Sequence, residues 1–156
     1  MSLAAAAAPV GLAWRAQAAT AAAAPAGSVL DRIEQAYDGY AATYDELDGG
    51  GIADQLGFPA LRGQLLSKAR GDVLETGVGT GLNLPLYSDP RVTSLTAVDI
   101  SSGMLAQAHR RAQQLGIGDS VRLVQADVER LQEVLQGQQF DTGGLAGGHP
   151  LPFLCP

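Results

Sequence analysis

Cysteine and histidine are nearly absent from this chain of 156 residues: there is one cysteine, Cys155, and two histidines, His109 and His149. A single thiol excludes an intramolecular disulfide framework, and His109, His149 and Cys155 lack the spacing of a zinc-ligand set, so no metal is expected. Basic residues are also scarce, with 10 Lys and Arg against 16 Asp and Glu and a formal net charge of -6. Phosphate-backbone binding needs clustered cations, so a nucleic-acid surface is not expected. Long apolar runs free of breakers are missing as well, and no transmembrane segment is predicted. The alanine-rich residues 1–27 come closest, but Pro9, Arg15, Gln17 and Pro25 interrupt them.

That first segment has Arg15 as its sole charged side chain and no acid before Asp31. It fits an organelle transit peptide, chloroplast or mitochondrial, or a disordered low-complexity leader on a cytoplasmic protein. The remaining length is that of one domain.

What the sequence does have is a glycine-punctuated strand end, Val73-Leu74-Glu75-Thr76-Gly77-Val78-Gly79-Thr80-Gly81. Glycines at alternate positions let the backbone pass close under a ligand. A dinucleotide fingerprint would need its third glycine at position 82, which is Leu82, and Glu75 would set a carboxylate near a pyrophosphate and repel it. The same carboxylate attracts a cation. Two further acids end apolar runs: Asp99 after Leu95-Thr96-Ala97-Val98, suited to accept from ribose hydroxyls, and Asp127 after residues 121–126, suited to accept from an adenine amino group. Taken singly, Asp99 also fits a turn acid and Asp127 a helix N-cap.

Together these residues resemble the class I methyltransferases that use S-adenosylmethionine. Glu75, Gly77, Gly79 and Gly81 match the first motif, Asp99 the second with Ser101-Ser102-Gly103-Met104-Leu105 as the helix start behind it, and Ala126-Asp127-Val128 the third. The resemblance implies that Glu75 binds the methionine ammonium, that Gly77, Gly79 and Gly81 form the loop under the methionine and sulfonium part, and that Asp99 holds the ribose. Asp127 and Val128 would meet the adenine, and Met104, at the helix start, belongs to the same implied cofactor set. Tyr37-Asp38 and Tyr44-Asp45 resemble a pattern that precedes the first motif in quinone-biosynthesis and phospholipid methyltransferases, where Tyr44 would close over the cofactor. An aromatic stripe packed onto the core is the alternative.

The expected fold is α/β, a Rossmann-like three-layer arrangement with a parallel sheet in the order β-α-β-α-β-α. Ile33, Tyr37, Tyr40, Ala41 and Tyr44 mark a helix starting at Ser28. Leu61, Leu65, Leu66 and Ala69 mark a second helix from Pro59, and Leu82–Tyr87 a short one whose N-terminus would face the methionine carboxylate. Further helices are expected from Ser102 to Leu115 and around Leu131, Val134 and Leu135. The domain reads as residues 28–142, with only the start of a fourth strand at Phe140-Asp141-Thr142. The Gly/Pro-rich residues 143–156 read as a tail unable to form a central strand, which would leave the first strand at an exposed edge and marks a truncated or misread product.

The implied activity is methyl transfer to a small-molecule or lipid acceptor. The alternatives are a non-catalytic S-adenosylmethionine-binding module and an NAD-dependent oxidoreductase. No residue is singled out as catalytic, and His109 lies on the polar side of its helix.

Overall fold

The computed structural model describes residues 27–48 and 55–145. Among them, a four-stranded parallel sheet in the order β3-β2-β1-β4 is built from β1 (Gly71–Thr76), β2 (Val92–Asp99), β3 (Val121–Gln125) and β4 (Thr142–Leu145). Helices α1 (Val29–Tyr40), α2 (Tyr44–Asp48) and α3 (Phe58–Leu66) precede the sheet, α4 (Ser102–Gln114) follows β2, and α5 (Leu131–Leu135) follows β3. Among the described residues, no helix is long and apolar enough to cross a membrane.

Alternation along β1 sends Val73 to one face of the sheet and Leu74 to the other. On the first face Val73, Leu95 and Ala97 pack with Leu105, Ala108 and Ala112 of α4 and with Ala69 beyond α3. On the second, Leu74, Val98 and Val124 pack with Leu135 of α5 and with Phe140. Both faces are covered, which is why the strand cores read as near-continuous apolar runs. The helix start expected at Ser28 is capped there. Ser28 and Asp31 form a reciprocal capping box on α1, and Ser101 Oγ accepts from Met104 N at 3.0 Å to cap α4.

Several expectations are corrected. The fourth strand runs to Leu145 rather than failing after Thr142, pairing Leu74 with Gly143 and Glu75 with Gly144. A ladder needs only backbone donors and acceptors, which glycine keeps, and buried Phe140 with Asp141 N donating to Asp72 O at 2.8 Å sets the register. β1 is therefore interior, not an edge. The helix expected over Leu82–Tyr87 is a turn followed by a 3₁₀ segment, Leu84–Ser88, and no α-helix opens at the glycine loop. Pro85 lacks an amide hydrogen, while Leu84 N and Leu86 N donate three residues back, to Gly81 O and Asn83 O. In α3, Leu61 and Leu65 are 50% and 47% exposed, and only Leu66 and the following Ala69 meet the core. The helix begun at Ser28 ends at Tyr40, so Tyr44 opens a separate helix. Residues 1–26 and 146–156, which hold most of the expected leader and tail, lie outside the described residues.

Candidate functional site

The site is assembled at the carboxyl ends of β1, β2 and β3, where an open parallel sheet exposes its loops. β1 runs into the glycine loop, whose Gly77, Gly79 and Gly81 all have positive φ. At Gly79 (φ 57°) a Cβ would meet nothing within 4 Å, and the amide N donates to Asp99 Oδ2 at 2.8 Å. At Gly81 (φ 83°) a Cβ would stand 2.5 Å from Leu84 Cδ1 and 3.3 Å from Ala108 Cα. Gly79 thus faces open space, whereas Gly81 lets the loop pack against α4.

Asp99 ends β2 and accepts from Ser101 N on Oδ1 at 2.9 Å as well as from Gly79 N. Burial pushes its carboxyl above the ordinary carboxylate value, and these backbone donors offset part of that rise. Asp127 accepts from Glu129 N at 2.9 Å, so it caps the turn after β3 while lying beside the loop. The turn-acid and N-cap readings of these two residues are thus compatible with the ligand-binding ones.

Gly77, Gly79, Asp99, Met104, Asp127, Val128 and Tyr44 line one cavity of about 400 Å³. Leu30, Ile33, Tyr37, Ile100 and Ala126 complete its wall. Of the aromatic stripe, Tyr37 and Tyr44 therefore face the cavity, whereas Ala41 beside them is buried. Tyr37 and Tyr40 are 38% and 36% exposed, and α1 buries none of its own residues.

Glu75 and Gly81, also expected at the site, are not on this wall. Glu75 is 1% exposed and accepts from Asn83 Nδ2 at 2.7 Å, while its Oε2 and Asn83 Oδ1 are buried with no hydrogen-bond partner. Burial pushes the Glu75 carboxyl up to about 7; hydrogen bonding to Asn83 and to the Tyr87 phenol, and then the charge of Arg62, pull the other way. The phenol of Tyr87, buried against it, is raised by burial first and by the Glu75 charge second. Asn83 and Arg62 line a smaller cavity of about 70 Å³ that shares Tyr44, Gly77 and Gly79 with the larger one.

Sequence reading passed over Arg62 and Asn83. Asn83 stands two residues beyond the last glycine of the motif, a position that could have drawn attention to it; Arg62, on a helix well upstream, carried no comparable signal. The two orphaned acceptors call for a donor with several N–H groups, and Arg62 beside them suits an anion. An α-amino acid group carries both charges.

A family model described as a methyltransferase domain matches residues 73–147. The phosphatidylethanolamine N-methyltransferase of Cereibacter sphaeroides is 38% identical over 114 residues, which is 72% of this chain and 52% of that protein. The solved structure of DhpI in complex with SAH is 27% identical with a TM-score of 0.55, covering 74% of this chain and 52% of that one. This chain carries a class I S-adenosylmethionine-dependent methyltransferase domain. A second DhpI complex, titled DhpI-SAM-HEP, is 26% identical with a TM-score of 0.52 and covers 78% of this chain and 52% of that one. The chain spans about half the length of the relatives it matches. The [4+2]-cyclase SpnF, at 19% identity and a TM-score of 0.56, shares the fold alone. The methyltransferase fold itself is seen in the four-stranded parallel sheet with helices on both faces.

Proposed function

We propose that the chain binds S-adenosylmethionine with its nucleoside in the larger cavity and its amino-acid end toward the smaller one. The carrying observation is the pair of buried, unpartnered acceptors, Glu75 Oε2 and Asn83 Oδ1, on two side chains joined by a hydrogen bond where Asn83 lines the smaller cavity. Leaving such atoms unpaired costs about 1–3 kcal/mol each, and an ammonium group satisfies both. Arg62 would take the carboxylate, Asp99 the ribose hydroxyls, and Asp127 with Val128 the adenine. Gly79, without a Cβ, leaves room for the sulfonium. The dinucleotide alternative loses further ground, because no α-helix N-terminus opens at the glycine loop to receive a pyrophosphate.

When bound, this cofactor supplies a methyl group already activated by positive sulfur. The task left to the chain is alignment and exclusion of water. Leu30, Ile33 and Tyr37 make the outer wall apolar, and Asp99 with Gly79 fixes the loop's position against β2. No residue is assigned as general base.

The acceptor class is a small molecule or a lipid. The name of the Cereibacter sphaeroides relative supports a lipid amine, and the net charge of -6 disfavours nucleic acid. A donor-binding module without transfer is the second reading, because the residues brought together here account for the donor alone.

Calorimetric titration of the purified chain with S-adenosylmethionine, S-adenosylhomocysteine and NAD tests the first step. Heat with the first two and none with NAD is expected, and a folded sample binding neither would defeat the proposal. Incubation with methyl-labelled donor and phosphatidylethanolamine vesicles then separates the two readings. Labelled lipid supports the enzyme, and donor binding without any labelled product supports the module.

A further inference from the structure

The two tyrosine–aspartate pairs, Tyr37-Asp38 and Tyr44-Asp45, divide their labour in the same way. Each tyrosine lines the cavity, and each aspartate bonds instead to groups at the start of α4 or in the glycine loop. Asp38 Oδ1 accepts from Ser101 Oγ at 2.5 Å and from Gly103 N at 2.7 Å. A Cβ on Gly103 would come within 3.0 Å of Asp38 Oδ1 and 3.3 Å of Ala41 Cβ, so the missing side chain permits this approach. Asp45 accepts from the Thr80 hydroxyl and pairs with Arg111 of α4, whose Nη1 also donates to Thr80 O at 3.2 Å. Between the two tyrosines, the Tyr40 ring lies 5.3 Å from Tyr37 and 6.2 Å from Tyr44, centre to centre.

Because α1 buries no residue of its own, these polar contacts, with Gln125 Nε2 donating to Glu34 Oε1 at 2.9 Å, do much of the work of holding it down. Their receivers also shape the cavity. Ser101 donates its amide to Asp99 Oδ1, and Thr80 follows Gly79, which donates to Asp99 Oδ2. A lid fastened here is fastened to the loop and turn that hold Asp99.

We propose that Asp38 and Asp45 are positioning residues that latch α1 and α2 as a lid over the cavity, so that cofactor release requires both to let go. This rests on the reading of the cavity as a cofactor site. The probe is S-adenosylhomocysteine, with association and dissociation rates measured on the immobilised chain. Asp38→Ala and Asp45→Ala are each expected to speed dissociation by roughly tenfold or more, as the loss of a charge-assisted hydrogen bond implies, with association no slower. Arg111→Met is expected to match Asp45→Ala, and the double variant to add little, since both remove one coupled pair. Added salt is expected to speed release from the parent and to have less effect on Asp45→Ala, because the Asp45–Arg111 pair is part-exposed. Dissociation unchanged in both aspartate variants, or affinity lost through slower association, would overturn the latch.

Amide hydrogen exchange separates this failure from failure of the cofactor reading, since it needs no ligand. Faster exchange over residues 29–48 with β1 and β2 still protected supports the latch in Asp38→Ala, and in Asp38→Asn should the alanine variant fail to fold. Exchange there equal to the parent's refutes it, whatever the parent binds.

Discussion

Lowering the pH from 8 to 5 is expected to weaken S-adenosylmethionine binding by about a hundredfold through Glu75. An ammonium ligand needs the ionised carboxylate, but burial holds this group near 7 in the free protein. Below that value the ligand must displace a proton, and affinity falls by up to about tenfold per pH unit. At pH 5 roughly one molecule in a hundred has Glu75 ionised, a cost of about 3 kcal/mol. Binding should therefore release close to one proton at pH 5.5 and only a small fraction of one at pH 8. Calorimetry in two buffers of different ionisation enthalpy reads that number directly.

The stability of the free protein gives an independent check of opposite sign. The folded carboxyl is raised from 4.5 to about 7, so over that window the folded state keeps a proton that the unfolded state loses. Raising the pH from 4.5 to 7 therefore destabilises the free protein, by about 3 kcal/mol at most at about 1.4 kcal/mol per pH unit. Glu75→Gln keeps the size of the side chain and removes the titration. It should flatten the fall in melting temperature over this window and weaken cofactor binding at pH 8. Cofactor affinity independent of pH between 5 and 7, or Glu75→Gln binding as tightly as the parent at pH 8, would refute the assignment of the ammonium to Glu75.

Asp99→Ala should cost about 1.5–3 kcal/mol of cofactor binding by titration calorimetry, the usual worth of hydrogen bonds to a charged group. Gly81→Ala forces a Cβ into Leu84 and Ala108 at positive φ, and should lower stability in urea by about 1–3 kcal/mol. Leu74→Ala, at a side chain with no exposure in the centre of β1, should cost about 2–5 kcal/mol by the same measurement.

The first three strands, the Ser28 cap and the three acids at the strand ends were legible because each is a local rule: an apolar run, an N-cap, a polar residue closing the run. Of the cavity residues, Gly77 and Gly79 followed from the glycine spacing, and Tyr44, Met104 and Val128 from the family resemblance. What was not legible depended on neighbours distant in sequence. Leu61 and Leu65 show a helical stripe but lie outside the packed face, and Tyr37 and Tyr44 show the same spacing yet wall a cavity; periodicity gives a shared face and not its partner. Gly143 and Gly144 read as strand breakers, and their pairing with β1 was set by Phe140 and by the Asp141–Asp72 backbone bond, which no propensity encodes.

That fourth strand bears on the site itself. Were β1 an edge, its backbone groups would meet water on one side, and the end of the strand that carries Glu75 would be less deeply enclosed. With β2 and β4 on either side, every residue from Val73 to Thr76 is buried, and Glu75 stands on the same face as Val73, under the glycine loop. A carboxylate in that position destabilises the fold unless it is protonated or meets a cation. Asn83, Tyr87 and Arg62 relieve only part of the cost, because Oε2 keeps no hydrogen-bond partner. The strand order thus turns a sequence motif into an electrostatic demand, and a small cationic ligand entering beside Gly77 and Gly79 is what would meet it.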